Sequence, residues 1–177
     1  GAMGRTAYSL RVQSGCEECC AFCVIPSTRG SSRSRLLSEV LADVDRLAAA
    51  SYRELWLVGV HLGSYGRDLA PSSSFVDLLR ALDTAPGDVT FRISSLEPMD
   101  CRPEVVDLLE KSGRFAPHLH LPLQHGSDRV LAAKRRPYSV EHYRRLVDHI
   151  RARLPHASIG ADVIADLVHR LVGRDEL

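Results

Sequence analysis

Glu54-Leu55-Trp56-Leu57-Val58-Gly59-Val60 is the stretch on which the reading of the fold turns. After its first residue it carries no polar side chain. It runs directly into His61-Leu62-Gly63-Ser64-Tyr65-Gly66, a loop punctuated by glycines. A strand with one face in water alternates apolar and polar residues. A nearly continuous apolar run predicts a strand buried on both faces, as in a parallel sheet.

The flanks carry the same rhythm. Upstream, residues 8–13 alternate as a short strand that Gly15 breaks, and Leu36, Leu37, Val40, Leu41, Val44, Leu47 and Ala48 recur at helical spacing. Downstream, Ser74 opens a helix with Asp77 three residues on, in the manner of a capping box. Phe75, Val76, Leu78, Leu79 and Leu82 form its buried stripe, and Pro86-Gly87-Asp88 ends it. A strand over 89–94 leads to Ser95-Leu96-Glu97-Pro98, then to a helix with Pro103 in its first turn. A fourth strand over 118–123 precedes helical stretches over 128–134 and 139–154, the second with Tyr143, Leu146, Val147 and Ile150 turned inward. A fifth strand covers 157–164, and the tail over 165–177 reads as a short helix. Strands and helices thus alternate five times, the pattern of an α/β fold of parallel βα units. In such a fold the loops at the carboxyl ends of the strands share one face.

Composition bounds the function. The 177 residues are 45% hydrophobic with a net charge of +1, which suits one domain and gives no argument from overall charge about nucleic acid. No apolar run reaches the length of a membrane span. No secretory signal is visible, and Gly1-Ala2-Met3-Gly4 reads as a scar left by protease cleavage, so the expected location is the cytoplasm. The terminal Arg174-Asp175-Glu176-Leu177 is read as a chance likeness to a retrieval signal.

Four of the five cysteines fall within Cys16-Glu17-Glu18-Cys19-Cys20-Ala21-Phe22-Cys23, which follows the first strand. Cys16, Cys20 and Cys23 form CxxxCxxC. Three thiolates at this spacing can hold three irons of a cubane [4Fe-4S] cluster and leave the fourth open to a ligand. Zinc sites favour four ligands in paired short spacings, so zinc is the weaker reading. Cys19 is read as a non-ligand thiol and Cys101 as a lone structural or surface thiol.

Taken together, these residues resemble the catalytic core of the radical S-adenosylmethionine (SAM) methylthiotransferase family. The matching pieces are Gly15-Cys16, Cys20 and Cys23-Val24-Ile25-Pro26; Arg29-Gly30 with Arg33-Ser34-Arg35; and Gly59 through Gly66. They continue with Arg92-Ile93-Ser94-Ser95-Leu96-Glu97-Pro98 and with His118 through Asp128, all in family order. The His61-Leu62-Gly63-Ser64-Tyr65-Gly66 loop most resembles the branch acting on threonylcarbamoyl-adenosine beside the anticodon of tRNA.

The resemblance implies a partial TIM-type barrel, a [4Fe-4S] cluster on Cys16, Cys20 and Cys23, and SAM chelating the open iron. Reductive cleavage of SAM would give a deoxyadenosyl radical, and a methylthio group would replace a hydrogen of the base. Phe22 is a candidate to flank the adenine. Gly59, Ser95, Glu97 and Gln124 are candidate cofactor contacts. The implied partners are tRNA, through its anticodon arm, and an electron donor such as a flavodoxin or ferredoxin. The family's glycine-proline turn after the fifth strand is missing after Asp162-Val163-Ile164, as is a sixth βα unit, so residues 5–177 read as a core cut short. An N-terminal auxiliary-cluster domain and a C-terminal RNA-binding domain, usual in the family, are not found in the sequence. Self-association through open strand edges is the corresponding expectation.

Two basic clusters remain, Arg29, Arg33 and Arg35 in one and Lys134, Arg135 and Arg136 in the other. They read either as solvated charge or as phosphate contacts to RNA. His61 and His125 lie on the expected active face, either touching substrate or merely exposed. His118 and His120 share one face of a strand, and a hydrogen-bonded place inside the barrel is preferred to a two-histidine metal pair. An inactive fragment, a zinc-binding module and a different radical SAM enzyme are the competing readings.

Overall fold

The structure is a computed structural model that describes residues 4–165. The expected tail helix and most of the N-terminal scar lie outside the described residues. In chain order the elements are β1 (Ala7–Arg11), β2 (Gln13–Ser14), α1 (Ile25–Arg29), β3 (Arg33–Ser34), α2 (Leu37–Ala49), β4 (Glu54–Val58) and α3 (Phe75–Asp83). They continue with β5 (Thr90–Ile93), α4 (Pro103–Lys111), β6 (His118–His120), α5 (Asp128–Ala133), α6 (Val140–Arg153) and β7 (Ser158–Gly160).

The five expected strands form one open parallel array. β1, β4 and β5 make a parallel ladder with Leu10 opposite Leu57 and Leu57 opposite Ile93. β6 and β7 make a second, with Leu119 opposite Ile159. Two parallel bridges, Phe91 with Phe115 and Ser95 with His120, join the ladders between β5 and β6. The spatial order is therefore β1-β4-β5-β6-β7, a partial barrel. A two-stranded antiparallel pair, β2 with β3, is an addition that the alternation of βα units did not predict.

One face of this array packs against helices. Leu55, Leu57 and Phe91 lose all exposure there, against Val40 and Val44 of α2 and Leu78, Leu79 and Leu82 of α3. Each such side chain contributes about 1.5–3 kcal/mol from burial. The opposite face corrects the expectation of two-sided burial for the 54–60 stretch. Trp56 is 41% exposed, with the Arg92 guanidinium 5.2 Å from its ring centroid. Arg92 also donates to Glu54 (2.6 Å). The strand is apolar on paper because Trp56 is a large ring on a face that the open array leaves only partly covered. His118 and His120 lie beside this face in the hydrogen-bonded state expected of them, bonded to Ser158 Oγ (2.7 Å) and Ser95 Oγ (2.8 Å).

Local signals behave as their chemistry requires. Ser74 Oγ accepts from the Asp77 N–H while Asp77 accepts from the Ser74 N–H, a complete capping box for α3. Pro103 occupies the first turn of α4. In α6 only Ile150 is fully buried; Tyr143 and Leu146 are partly covered. No helix of the described residues is long and apolar enough to cross a membrane.

Candidate cofactor site

The cysteine loop begins where β1 ends, and buried polar contacts fix its start. The Val12 N–H still donates to Val58 O (3.0 Å), continuing the pairing with β4. Gln13, 1% exposed, then acts as a hub. Its Nε2 donates to Gly15 O (2.8 Å) and Ser32 Oγ (2.9 Å), and its Oε1 accepts from the His61 N–H (2.9 Å). One side chain thus fastens the cysteine loop to the loop after β4. Gly15 adopts a left-handed φ of 69°, and a Cβ there would strike the backbone carbonyls of Gly30 and Ser31. Only glycine meets both demands. The Cys16 N–H donates to Gly30 O (3.0 Å), closing the loop against the segment after α1.

Cys16, Cys20 and Cys23 line one cavity together with Phe22. Other loops that follow strands add His61, Glu97, Gln124 and, past α5, Arg136. Burial pushes the Cys16 thiol up, partly offset by the Glu18 N–H that it accepts at 3.4 Å. Cys19 is exposed and points elsewhere, with Glu17 O as its partner (3.9 Å). Cys101 is buried among core residues, and burial raises its thiol to about 12, an inert structural cysteine.

The end of α5 shapes the cavity wall. The Arg135 N–H donates to Ala132 O and the Arg136 N–H to Leu131 O (both 2.9 Å), with Arg135 at a φ of 56°. This pair of bonds around a left-handed residue is a Schellman motif. It splits the basic triplet by direction: Arg135 is exposed, whereas Lys134 and Arg136 are buried. Arg136 forms an ion pair with Glu97, donates Nη1 to Cys20 Sγ (3.1 Å) and lies 5.3 Å from the Tyr138 ring centroid. Lys134 donates to Gln124 O (2.9 Å) and Ile164 O (3.2 Å), and its ammonium stands 5.5 Å from the Phe22 ring centroid. Lys134 and Arg136 therefore leave the exposed basic fringe, and Arg136 in this conformation is not available to RNA phosphate.

Other expected residues divide. His61 is buried rather than on the surface, its Nε2 2.7 Å from Asp100 Oδ2 and its Nδ1 3.8 Å from Glu18 Oε1. Gly63 has to be glycine here, because a Cβ would strike the Asp100 carboxylate. Gly59 lines a neighbouring cavity with Arg11, Gln13 and Arg29, not the cysteine cavity. Ser95 is bonded to His120 and does not line the cysteine cavity. Arg29 and Arg33 are exposed, whereas Arg35 is bound to Asp43 (2.8 Å) and Glu39 (3.7 Å). Gln13, Asp100 and Met99 were missed. Gln13 and Asp100 are single polar residues at element ends with no spacing pattern to announce them, and Met99 carries no polar signal at all.

The residues fit a cubane cluster and its ligand. Gln124 Oε1 is buried without a hydrogen-bond partner and lines the same cavity as the thiols, an acceptor waiting for a donor. Gln124 also holds a left-handed φ of 70°, a backbone state uncommon outside glycine. Among the described residues no three His, Cys, Asp or Glu side chains are drawn together as a single-ion site requires. A cubane takes one thiolate per iron, so its ligands stand further apart than those of one zinc ion. Cys16, Cys20 and Cys23 would hold such a cluster.

A profile of the Radical SAM superfamily matches residues 10–168. The chain is 40% identical over 161 residues to the threonylcarbamoyladenosine tRNA methylthiotransferase MtaB of Bacillus subtilis (strain 168), covering 90% of this chain and 36% of that protein. It is 36% identical over 155 residues to the tRNA-2-methylthio-N(6)-dimethylallyladenosine synthase of Carboxydothermus hydrogenoformans, covering 88% and 35%. The chain thus spans about a third of the length of these relatives. In fold it is similar to the radical SAM methyltransferase TsrM from Kitasatospora setae, with a TM-score of 0.70 at 19% identity, covering 89% of this chain and 30% of that one. It is also similar to the cobalamin-dependent SAM radical enzyme OxsB, with a TM-score of 0.69 at 14% identity, covering 89% and 24%. With its partial parallel barrel and its three-thiol cavity, the chain belongs to the radical SAM superfamily, whose cofactors are a [4Fe-4S] cluster and SAM.

Proposed function

We propose that this chain is the radical SAM core of a tRNA methylthiotransferase that acts on a threonylcarbamoyl-adenosine next to the anticodon. The observation that carries the reading is the cavity in which Cys16, Cys20 and Cys23 meet Glu97, Gln124 and Arg136 from other loops. The kinship to tRNA methylthiotransferases supplies the substrate class. The His61-Leu62-Gly63-Ser64-Tyr65-Gly66 loop, with the 40% identity to the threonylcarbamoyladenosine enzyme, supports that branch over the dimethylallyladenosine one.

When bound, the cluster supplies the electron that cleaves SAM to methionine and a deoxyadenosyl radical. The protein's part is to bind and orient. Phe22 offers a flat apolar face inside the cavity for adenine. Gln124 Oε1 offers an unused acceptor for an N–H or O–H of the ligand. Glu97 offers a carboxylate to SAM's amino group or ribose. Outside the cavity, exposed Arg29, Arg33 and Arg135 would meet RNA phosphates, positioning the anticodon arm without reading its sequence. A low-potential donor of the flavodoxin or ferredoxin kind would deliver the electron.

The test is mass analysis of tRNA nucleosides from cells deleted for the gene encoding this chain. Loss of the methylthio form of threonylcarbamoyl-adenosine, with its unmodified parent accumulating, is the expected result. Loss of a methylthio dimethylallyl-adenosine instead would reassign the branch. Unchanged methylthio nucleosides would reject the tRNA reading.

A further inference from the structure

Arg136 is the one cation in direct contact with a candidate cluster ligand among the described residues. Its guanidinium donates Nη1 to Cys20 Sγ at 3.1 Å, pairs with Glu97, and rests against the Tyr138 ring. The side chain is 3% exposed. Tyr138 is in turn fixed, its hydroxyl donating to Pro122 O (3.0 Å), and the Schellman turn at Arg135 aims Arg136 inward. These contacts hold the arginine out of water. A buried guanidinium is fully charged at any ordinary pH and offers donors in a rigid fork.

From this we propose that Arg136 is a positioning and tuning residue of the cluster. It holds the Cys20 thiolate by a charge-assisted hydrogen bond and raises the cluster's reduction potential. The inference rests on the reading of Cys20 as a ligand and goes beyond it, since neither the CxxxCxxC spacing nor the kinship assigns a role to Arg136. A cluster held by three thiolates gains negative charge on reduction, and hydrogen bonds to its sulfurs together with net charge set its potential. A cation at hydrogen-bond distance in a partly buried site stabilises the more negative state, because the low local dielectric screens it weakly. Glu97 opposes this in part, through the other terminal nitrogen of the guanidinium. Splitting the fork between a carboxylate and a sulfur lets one residue fix two walls of the cavity, the loop after β5 and the cysteine loop.

The experiment is redox potentiometry of the anaerobically reconstituted chain, followed by electron paramagnetic resonance, without SAM. R136Q removes the charge, and R136K keeps it but cannot serve Glu97 and Cys20 together. Iron and sulfide are measured on each sample, so that failure of the ligand reading shows as parent protein without a cluster. That result would overturn the proposal as well. With the cluster present, R136Q is expected to lower the reduced-to-oxidised ratio at fixed poise about tenfold, which is about 59 mV for one electron, with R136K in between. If R136Q cannot hold the cluster, a lowered potential in R136K supports the proposal and the parent's potential in R136K overturns it. A potential unmoved in both variants overturns it. Unmoved potential, together with weakened SAM binding in a separate titration of the same reconstituted samples, would overturn it too, and would assign Arg136 to SAM's carboxylate instead.

Discussion

Lys134 is a fully buried ammonium that, among the described residues, forms no ion pair. It is held by Gln124 O, Ile164 O and the face of Phe22, so it ties the loop after β6, the segment after β7 and the cysteine loop. Lys134→Met keeps the stem and removes both carbonyl bonds. The expected cost is about 1–3 kcal/mol by denaturant unfolding, with faster proteolysis of the cysteine loop. Burial holds the lysine below its usual 10.5. Between its lowered folded value and 10.5 the unfolded chain binds more protons, so its contribution to stability grows as pH rises through that window. The stability difference between the parent and Lys134→Met should therefore widen toward alkaline pH; a difference that narrows there would contradict the assignment. Arg135 makes the opposite case. It holds a left-handed φ that suits glycine, so Arg135→Gly should stabilise by up to about 1 kcal/mol in the same measurement. At this scale the sequence shows three adjacent basic residues and nothing more. The backbone bonds of one helix end decide that two turn inward and one outward, and the amino-acid string does not display those bonds. The cysteine spacing, by contrast, is visible without a structure, because its ligand chemistry needs only a short local segment.

Elements owe their limits to signals of unequal clarity. The capping box of α3 is local, so Ser74 and Asp77 announce it directly. Ser74→Ala should lower thermal stability by about 0.5–2 kcal/mol, read from a melting curve, with less effect for Ser74→Gly. The strand at Glu54–Val58 was equally plain as a strand but not as to what covers it. Leu55 and Leu57 lie under helices, whereas Trp56 shares an open face with Arg92. Hydropathy cannot separate a ring buried by helices from one partly covered by a guanidinium stem, since both are apolar letters. β2 and β3 escaped notice for another reason. Two-residue strands carry no periodicity, and the pairing of Gln13 with Ser34 joins positions 21 residues apart.

For the molecule as a whole, the order β1-β4-β5-β6-β7 follows from the alternation of strands and helices, because parallel strands need crossovers and each crossover here carries a helix. That rule also gathers the strand-end loops on one face, which is why four separate strand-end stretches meet in one cavity, joined there by Arg136 from the end of α5. Long-range polar contacts such as Gln13 with His61, or Arg136 with Glu97, depend on that assembly and are legible only once it exists. The central claim is that the assembly holds a cubane on Cys16, Cys20 and Cys23. The most direct measurement is iron, sulfide and zinc content with the visible spectrum of the anaerobically reconstituted chain, alongside C20S and C19S. The account predicts about four irons and four sulfides per chain with brown charge-transfer absorbance, kept in C19S and lost in C20S. About one zinc and no sulfide, or a cluster that survives C20S and disappears with C19S, would contradict it.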